Sequence, residues 1–185
     1  KILASGGGMV YAPLGPTHTA TDDLAHMLSI PNMNVYAPCD ALEMKTLVEN
    51  ESSSNLPAYI RFGKGGEKII SNSLSNSNNF EFKYLGELKS KRVIVTTGVT
   101  LQPVIEALEY LKTEKPLIVH FPKVNLSMGN DLLRFITNKK SILIVEEHQS
   151  YGGLLTQFLH FCFNHSLPTS NISSLSLGNK FVRNY

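Results

Sequence analysis

The stretch from residue 34 to residue 62 reads NVYAPCDALEMKTLVENESSSNLPAYIRF and predicts the fold of this chain. Asn34–Ala37 has the β-branched and aromatic residues of a short strand, and Ala58–Phe62 is a second run of this kind. Between them, Asp40 is followed three residues later by Glu43, which is the form of a capping box at the start of a helix. A strand, a helix and another strand in this order predict a unit of a parallel α/β sheet.

The same alternation continues on both sides of this unit. Upstream, Lys1-Ile2-Leu3-Ala4 has the pattern of a strand end, and the spacing of Leu24, Met27 and Leu28 predicts a helix that ends by Pro31. Downstream, we predict an edge strand at Phe82–Glu87, strands at Val93–Thr97, Leu117–His120, Ile142–Glu146 and Ile172–Leu177, and helices at Leu101–Leu111 (capped by Thr100), Leu132–Ile136 and Leu154–Phe163.

A polar stretch separates two blocks of this pattern. Residues 71–79 read SNSLSNSNN, and this stretch has a single apolar residue with which to pack. We therefore predict an α/β protein of two three-layer α/β/α blocks with mostly parallel sheets, at residues 1–70 and 81–185, joined by a linker at 71–80. Because the chain starts inside a strand-like run and without Met, we also expect it to be part of a longer polypeptide.

The composition excludes several classes of function. Seventeen basic and fifteen acidic side chains are mixed along the 185 residues, so the sequence predicts no basic face for nucleic acid. No apolar run approaches the roughly 20 residues that a membrane helix needs. Cys39 and Cys162 stand in no Cys-x-x-Cys pair, which argues against a disulfide framework and a zinc site and fits a reducing cytoplasm.

A tight loop that carries a histidine is the densest motif of the chain. Leu14-Gly15-Pro16-Thr17-His18 combines turn-forming glycine and proline with an imidazole near the start of a predicted helix. Such a histidine can bond a hydroxyl or, when protonated, a phosphate. A single loop histidine is more often a surface residue, so this motif gains weight only from the residues that follow it.

Those residues resemble the substrate loop of the transketolase family, which includes deoxyxylulose-phosphate synthase. The family follows Gly-Pro-Thr-His with acidic residues, an Ile-Pro-Asn-Met-like segment and a Pro-x-Asp, and this chain has Asp22-Asp23, Ile30-Pro31-Asn32-Met33 and Pro38-Cys39-Asp40 in the same order. Pro57–Gly63, PAYIRFG, is similar to the family strand whose arginine grips a sugar phosphate. The resemblance therefore implies that Thr17, His18 and Arg61 bind the substrate.

The resemblance also implies an architecture and an activity. The first block would be the C-terminal portion of a thiamine-diphosphate pyrimidine-binding domain, and the second block a transketolase C-terminal-like domain. In the second block, Glu146-Glu147-His148 before Tyr151-Gly152-Gly153 resembles a strand-to-helix turn that supports packing rather than metal binding or acid–base catalysis. The implied activity belongs to carbohydrate metabolism: transfer of a two-carbon ketol unit between sugar phosphates by a transferase.

Thiamine diphosphate and Mg²⁺ are the cofactors that the family implies, bound mainly outside this segment. The glutamate that activates the cofactor and the magnesium motif are expected in a missing N-terminal region or a separate subunit, within a homodimer or a two-chain assembly. We therefore expect the segment to be inactive alone, and we assign it no catalytic residue and no metal ligand.

Two departures from the family pattern leave alternatives open. Leu14 replaces an acidic residue, and the segment Ser5–Gly8 lacks a histidine that ends the preceding strand in the family. These changes favour a divergent member with an unusual donor or acceptor. The alternatives are the β-subunit type of 2-oxo acid dehydrogenase, which shares the fold, and a non-catalytic assembly module.

Overall fold

The computed structural model describes residues 1–75, 81–126, 130–179 and 181, and it confirms the predicted α/β class with mostly parallel sheets. Short 3₁₀ turns, including Pro16–His18 and Gly98–Thr100, link some of the elements. The strands and helices in chain order are β1 Ile2–Ser5, α1 Asp23–Leu28, β2 Asn34–Tyr36, α2 Ala41–Ser52, β3 Ala58–Phe62, β4 Lys83–Leu85, β5 Arg92–Thr96, α3 Leu101–Ala107, β6 Leu117–His120, α4 Leu133–Ile136, β7 Ser141–Gln149, α5 Leu154–Asn164 and β8 Ile172–Leu177.

The first sheet has three parallel strands in the order β1-β3-β2. The central strand β3 is buried from Ala58 to Arg61, which explains why it is apolar apart from its carboxyl end. Arg61 pairs in register with Ala4 of β1. Because the carboxyl ends of parallel strands share one edge, this edge is where a ligand site is expected.

The second sheet has five strands in the order β4-β6-β5-β7-β8, and only the β4–β6 pair is antiparallel. The edge position of β4 agrees with the prediction for Phe82–Glu87. Strand β7 is longer than predicted, because Gln149 still pairs with Leu177 of β8 and donates its N–H to the carbonyl of Thr21 at 2.8 Å. This extension carries Glu147 into contact with the first block.

Helix α2 starts at the predicted capping box. The Asp40 side chain accepts the N–H of Glu43 at 2.9 Å, and the Glu43 carboxylate accepts the N–H of Cys39 at 2.8 Å. Thr100 stands at the predicted position before α3, but its side chain makes no capping hydrogen bond, because a 3₁₀ turn already starts at Gly98 and the Thr100 hydroxyl donates to the carbonyl of Thr97. The predicted single helix accordingly divides into α3 and a 3₁₀ turn that ends at Tyr110.

One hydrophobic core extends across both sheets. Val35 of β2 belongs to the same buried cluster as Val95 of β5 and Phe158 of α5. Backbone hydrogen bonds continue this contact, since Ala37 donates its N–H to the carbonyl of Pro122 at 2.8 Å. The two blocks are therefore packed together along the side of β2.

The boundary between the two blocks stays a prediction. Ser71–Ser73 form a 3₁₀ turn whose first residue is buried, and residues 76–80 of the predicted linker lie outside the described residues. Among the described helices, none combines the length and the apolar content needed to cross a membrane.

Candidate functional site

A cavity of about 400 Å³ lies beyond the carboxyl ends of β2 and β3. Its walls come from the first turns of α2, from the segment that follows β3 and from Val99 of the second block. Two exposed cations, Lys45 and Lys64, line it together with the acidic residues Asp40 and Glu67. Its position at the carboxyl edge of a parallel sheet makes it the candidate substrate cavity.

A narrow crevice adjoins this cavity. The two spaces share Pro38, Phe62, Gly63 and Val99 as lining residues, and the crevice adds Arg61 and Glu147. Its volume of about 10 Å³ leaves room for about one water molecule. A phosphate group is too large to reach Arg61 through it in this conformation.

The Arg61 guanidinium is buried and held by two acidic residues. Its Nη1 donates to Asp23 Oδ1 at 3.0 Å. Its Nη2 donates to the backbone carbonyl of Glu147 at 2.8 Å and lies 3.4 Å from Glu147 Oε2. The Tyr59 hydroxyl donates to the other oxygen of Asp23 at 2.6 Å. Arg61 therefore joins α1 of the first block to β7 of the second.

The glycines before the substrate loop make room for this arrangement. A Cβ on Gly7 would lie 2.5 Å from Arg61 Cγ, and a Cβ on Gly8 would lie 2.1 Å from Glu147 Oε2. Gly8 also has a φ of +68°, which disfavours other residues. At Ser5–Gly8, where the sequence departs from the family pattern, the small glycines thus leave the space that the ion pair between Arg61 and Glu147 occupies.

Thr17 and His18 lie together on the exposed 3₁₀ turn Pro16–His18, and the Thr17 hydroxyl is 3.0 Å from His18 Nδ1. Both residues are described by the structure, and neither Thr17 nor His18 lines the cavity or the crevice. Tyr11, which precedes this turn in the chain, does contact a cavity residue: Lys64 Nζ lies 5.9 Å from the centre of the Tyr11 ring. The substrate-binding roles of Thr17, His18 and Arg61 remain predictions.

Sequence reasoning missed a buried polar cluster around Glu43. Lys83 Nζ lies 2.6 Å from Glu43 Oε1, and His120 Nε2 lies 3.0 Å from Glu43 Oε2. Although burial alone raises the pKa of Glu43, His120 and Lys83 hold it below its ordinary value. Lys83 and His120 belong to the other block, so no local spacing signals this contact.

The cluster contains atoms that could bind a metal. Cys39, Glu43 and His120 place one possible ligand atom each within 4.8 Å of one another. The ammonium group of Lys83 already supplies a positive charge to Glu43, and burial raises the pKa of the Cys39 thiol, which opposes the thiolate that a metal needs. The cluster is therefore a buried ion-pair network in this structure.

Glu146, Glu147 and His148 make three separate contacts. Glu146 accepts the N–H groups of Leu154 and Leu155 at the start of α5, and burial raises its pKa to about 7 despite these bonds. His148 Nε2 accepts the N–H of Ala25 at 3.3 Å. These contacts hold α5 and the first block against the end of β7.

Comparison with known proteins gives one domain match and several relatives. Residues 1–66 match the family described as transketolase, pyrimidine binding domain. The chain is 27% identical over 161 residues to a subunit of the apulose-4-phosphate transketolase of Phocaeicola vulgatus, covering 83% of this chain and 50% of that protein. It is 28% identical over 173 residues to 1-deoxy-D-xylulose-5-phosphate synthase of Lawsonia intracellularis, covering 91% and 27%. The chain thus spans half or less of the length of these two relatives.

Solved structures agree in fold. A protein described as a split-gene transketolase in an inactive beta4 tetramer superposes with a TM-score of 0.78 at 24% identity, covering 97% of this chain and 58% of that one. The transketolase of Campylobacter jejuni gives a TM-score of 0.74 at 16% identity, covering 94% and 26%. The domain match over residues 1–66, the relatives over most of the chain and the shared fold together support the transketolase family for this chain.

Proposed function

We propose that this chain forms part of a thiamine-diphosphate-dependent enzyme that transfers a two-carbon ketol unit between sugar phosphates. The observation that supports this most is the cavity of about 400 Å³ at the carboxyl edge of the first sheet. All of its lining residues except Glu67 and Val99 lie in the region that matches the pyrimidine-binding domain. Its size suits a sugar phosphate. In this proposal the chain binds and orients the substrate.

In this proposal, different residues of the chain bind the two ends of the substrate. His18, on its exposed turn, would bond a hydroxyl near the reacting carbon. Lys45 and Lys64 line the open cavity, where their ammonium groups are within reach of an anionic group. The family resemblance gives Arg61 the distal phosphate, a role in which it would have to exchange its two acidic partners for that phosphate.

Thiamine diphosphate, which members of this family use, supplies the group that stabilises the carbanion. A carboxylate must stand beside its pyrimidine ring. The described buried glutamates are already engaged: Glu43 with Lys83, Glu51 with Tyr36, and Glu146 with the start of α5. In this proposal the cofactor is held mainly by residues outside this segment, and we assign to the described residues neither the activating glutamate nor a Mg²⁺ ligand.

We propose that the rest of the site comes from a preceding region or a separate subunit, in a homodimer or a two-chain assembly. The relative from Phocaeicola vulgatus is named as one subunit of its enzyme, and the split-gene neighbour is a tetramer of one kind of chain. Cys39 and Cys162 are buried free thiols, which supports a reducing cytoplasm as the location.

Calorimetric titration with thiamine diphosphate and Mg²⁺ tests this proposal. The chain is titrated alone and again together with the polypeptide that carries the remaining cofactor residues. We expect binding only in the second case. Binding by the chain alone would mean that its own residues hold the cofactor, and no binding in either case would favour a non-catalytic assembly module.

A further inference from the structure

The Arg61 network contains more negative than positive charge. One guanidinium faces two carboxylates, those of Asp23 and Glu147, so the three side chains sum to a charge of −1 when all are ionised. The side chains of Arg61 and Asp23 are only 8% and 12% exposed, so solvent screens them little. A phosphate that approached Arg61 would therefore meet two like charges.

The geometry keeps Arg61 out of the open cavity. The crevice beside it holds about one water molecule, whereas Lys64 stands exposed at the wide cavity. The backbone carbonyl of Glu147 accepts from Arg61 at 2.8 Å, and the stem of Arg61 lies against Gly7. The guanidinium is thus held towards β7 by contacts on two sides.

We propose that Asp23 and Glu147 determine substrate preference by withholding Arg61 from anionic substrates, so that the lysines of the open cavity are the cations that receive the anion. This inference rests on the proposed function and refines its substrate class. On this inference, removal of one carboxylate charge weakens the hold on Arg61 enough for its side chain to turn towards the cavity, past the lining residues Phe62 and Gly63 that the two spaces share.

The test is the binding of inorganic phosphate to the chain, measured by calorimetry without any thiamine diphosphate. We expect the substitution Glu147→Gln to tighten phosphate binding by roughly tenfold, the effect of one added charge-assisted contact. In the double variant Glu147→Gln with Arg61→Met, the gain should disappear. Asp23→Asn should act in the same direction, and it replaces Glu147→Gln if that variant does not fold.

Glu51→Gln is the matched control, because Glu51 is a buried carboxylate that contacts Tyr36 and Lys1 rather than Arg61. Its phosphate affinity should equal that of the unmodified chain. An unchanged affinity in folded Glu147→Gln or Asp23→Asn overturns the inference, as does a gain that survives Arg61→Met. Either failure leaves the cofactor titration unaffected, since phosphate binding is measured without the cofactor.

Discussion

Replacement of Glu43 by Gln should strongly destabilise the folded chain. The side chain of Glu43 is 1% exposed, and it faces the ammonium group of Lys83, which is 6% exposed, at 2.6 Å. The amide of Gln can still accept the N–H of Cys39, but it cannot neutralise Lys83. Breaking a buried ion pair from one side costs about 3–5 kcal/mol. For a chain of this size we therefore expect Tm to fall by about 10 °C.

Urea denaturation followed by circular dichroism measures this loss, and its pH dependence checks the cause. The pKa of Glu43 is lower in the folded state than its ordinary value of 4.5. Its contribution to stability is therefore present above about pH 4.5 and is lost as pH falls through the folded-state pKa. The difference between the original chain and Glu43→Gln should shrink below about pH 4.

Glu49→Gln is the control on the same helix, because its exposed ion pair with Lys45 at 3.8 Å should contribute less than about 1 kcal/mol. Adding Lys83→Met to Glu43→Gln should recover part of the stability, since it removes the unpaired buried charge. The reasoning is refuted if Glu43→Gln lies within about 1 kcal/mol of the original chain at pH 7, or if the double variant is less stable than the single one.

Three further predictions concern the loop, the glycine segment and the start of α5. His18→Ala should lower turnover of the assembled enzyme by about tenfold or more and leave Tm unchanged, because His18 is exposed; a collapse of thermal stability would instead give His18 a structural role. Gly8→Ala should cost at least about 2 kcal/mol in urea denaturation, because its φ is +68° and the new Cβ meets Glu147, whereas Gly65→Ala, with open space around it, should cost about 1 kcal/mol. Burial raises the folded-state pKa of Glu146 from 4.5 to about 7, so the folded state holds this proton more tightly and the stability falls as pH rises across that interval. Glu146→Gln should remove up to about 3 kcal/mol of this pH dependence. An unchanged profile of stability against pH would contradict the raised pKa of Glu146.

The local elements of the fold were predictable because their signals are local. The capping box at Asp40 and the apolar run of β3 both lie within a few residues, and both are confirmed. The extension of β7 to Gln149 was not predictable, since it depends on a hydrogen bond to Thr21 from a distant part of the chain. The 3₁₀ turn that starts at Gly98 was not predicted either, and it explains why the Thr100 side chain does not cap α3.

The candidate site was predictable only in part. The motif around His18 and the family strand of Arg61 led to the family that the comparisons support, and the roles of these two residues stay predictions. The acidic partners of Arg61 could not be predicted from the sequence, because Glu147 lies 86 residues away and its motif indicates a packing role. The cluster of Glu43, Lys83 and His120 was missed for the same reason.

The single core that extends across both sheets has a consequence for how the chain can be handled. Because Val35 and Phe158 share one buried cluster, each half would expose apolar surface if the other were removed. Proteolytic cleavage near residue 75 should therefore leave two fragments that stay associated and melt in one transition. Expression of residues 1–70 alone should give an aggregating polypeptide, so a domain that can be recognised in the sequence need not be one that folds in isolation.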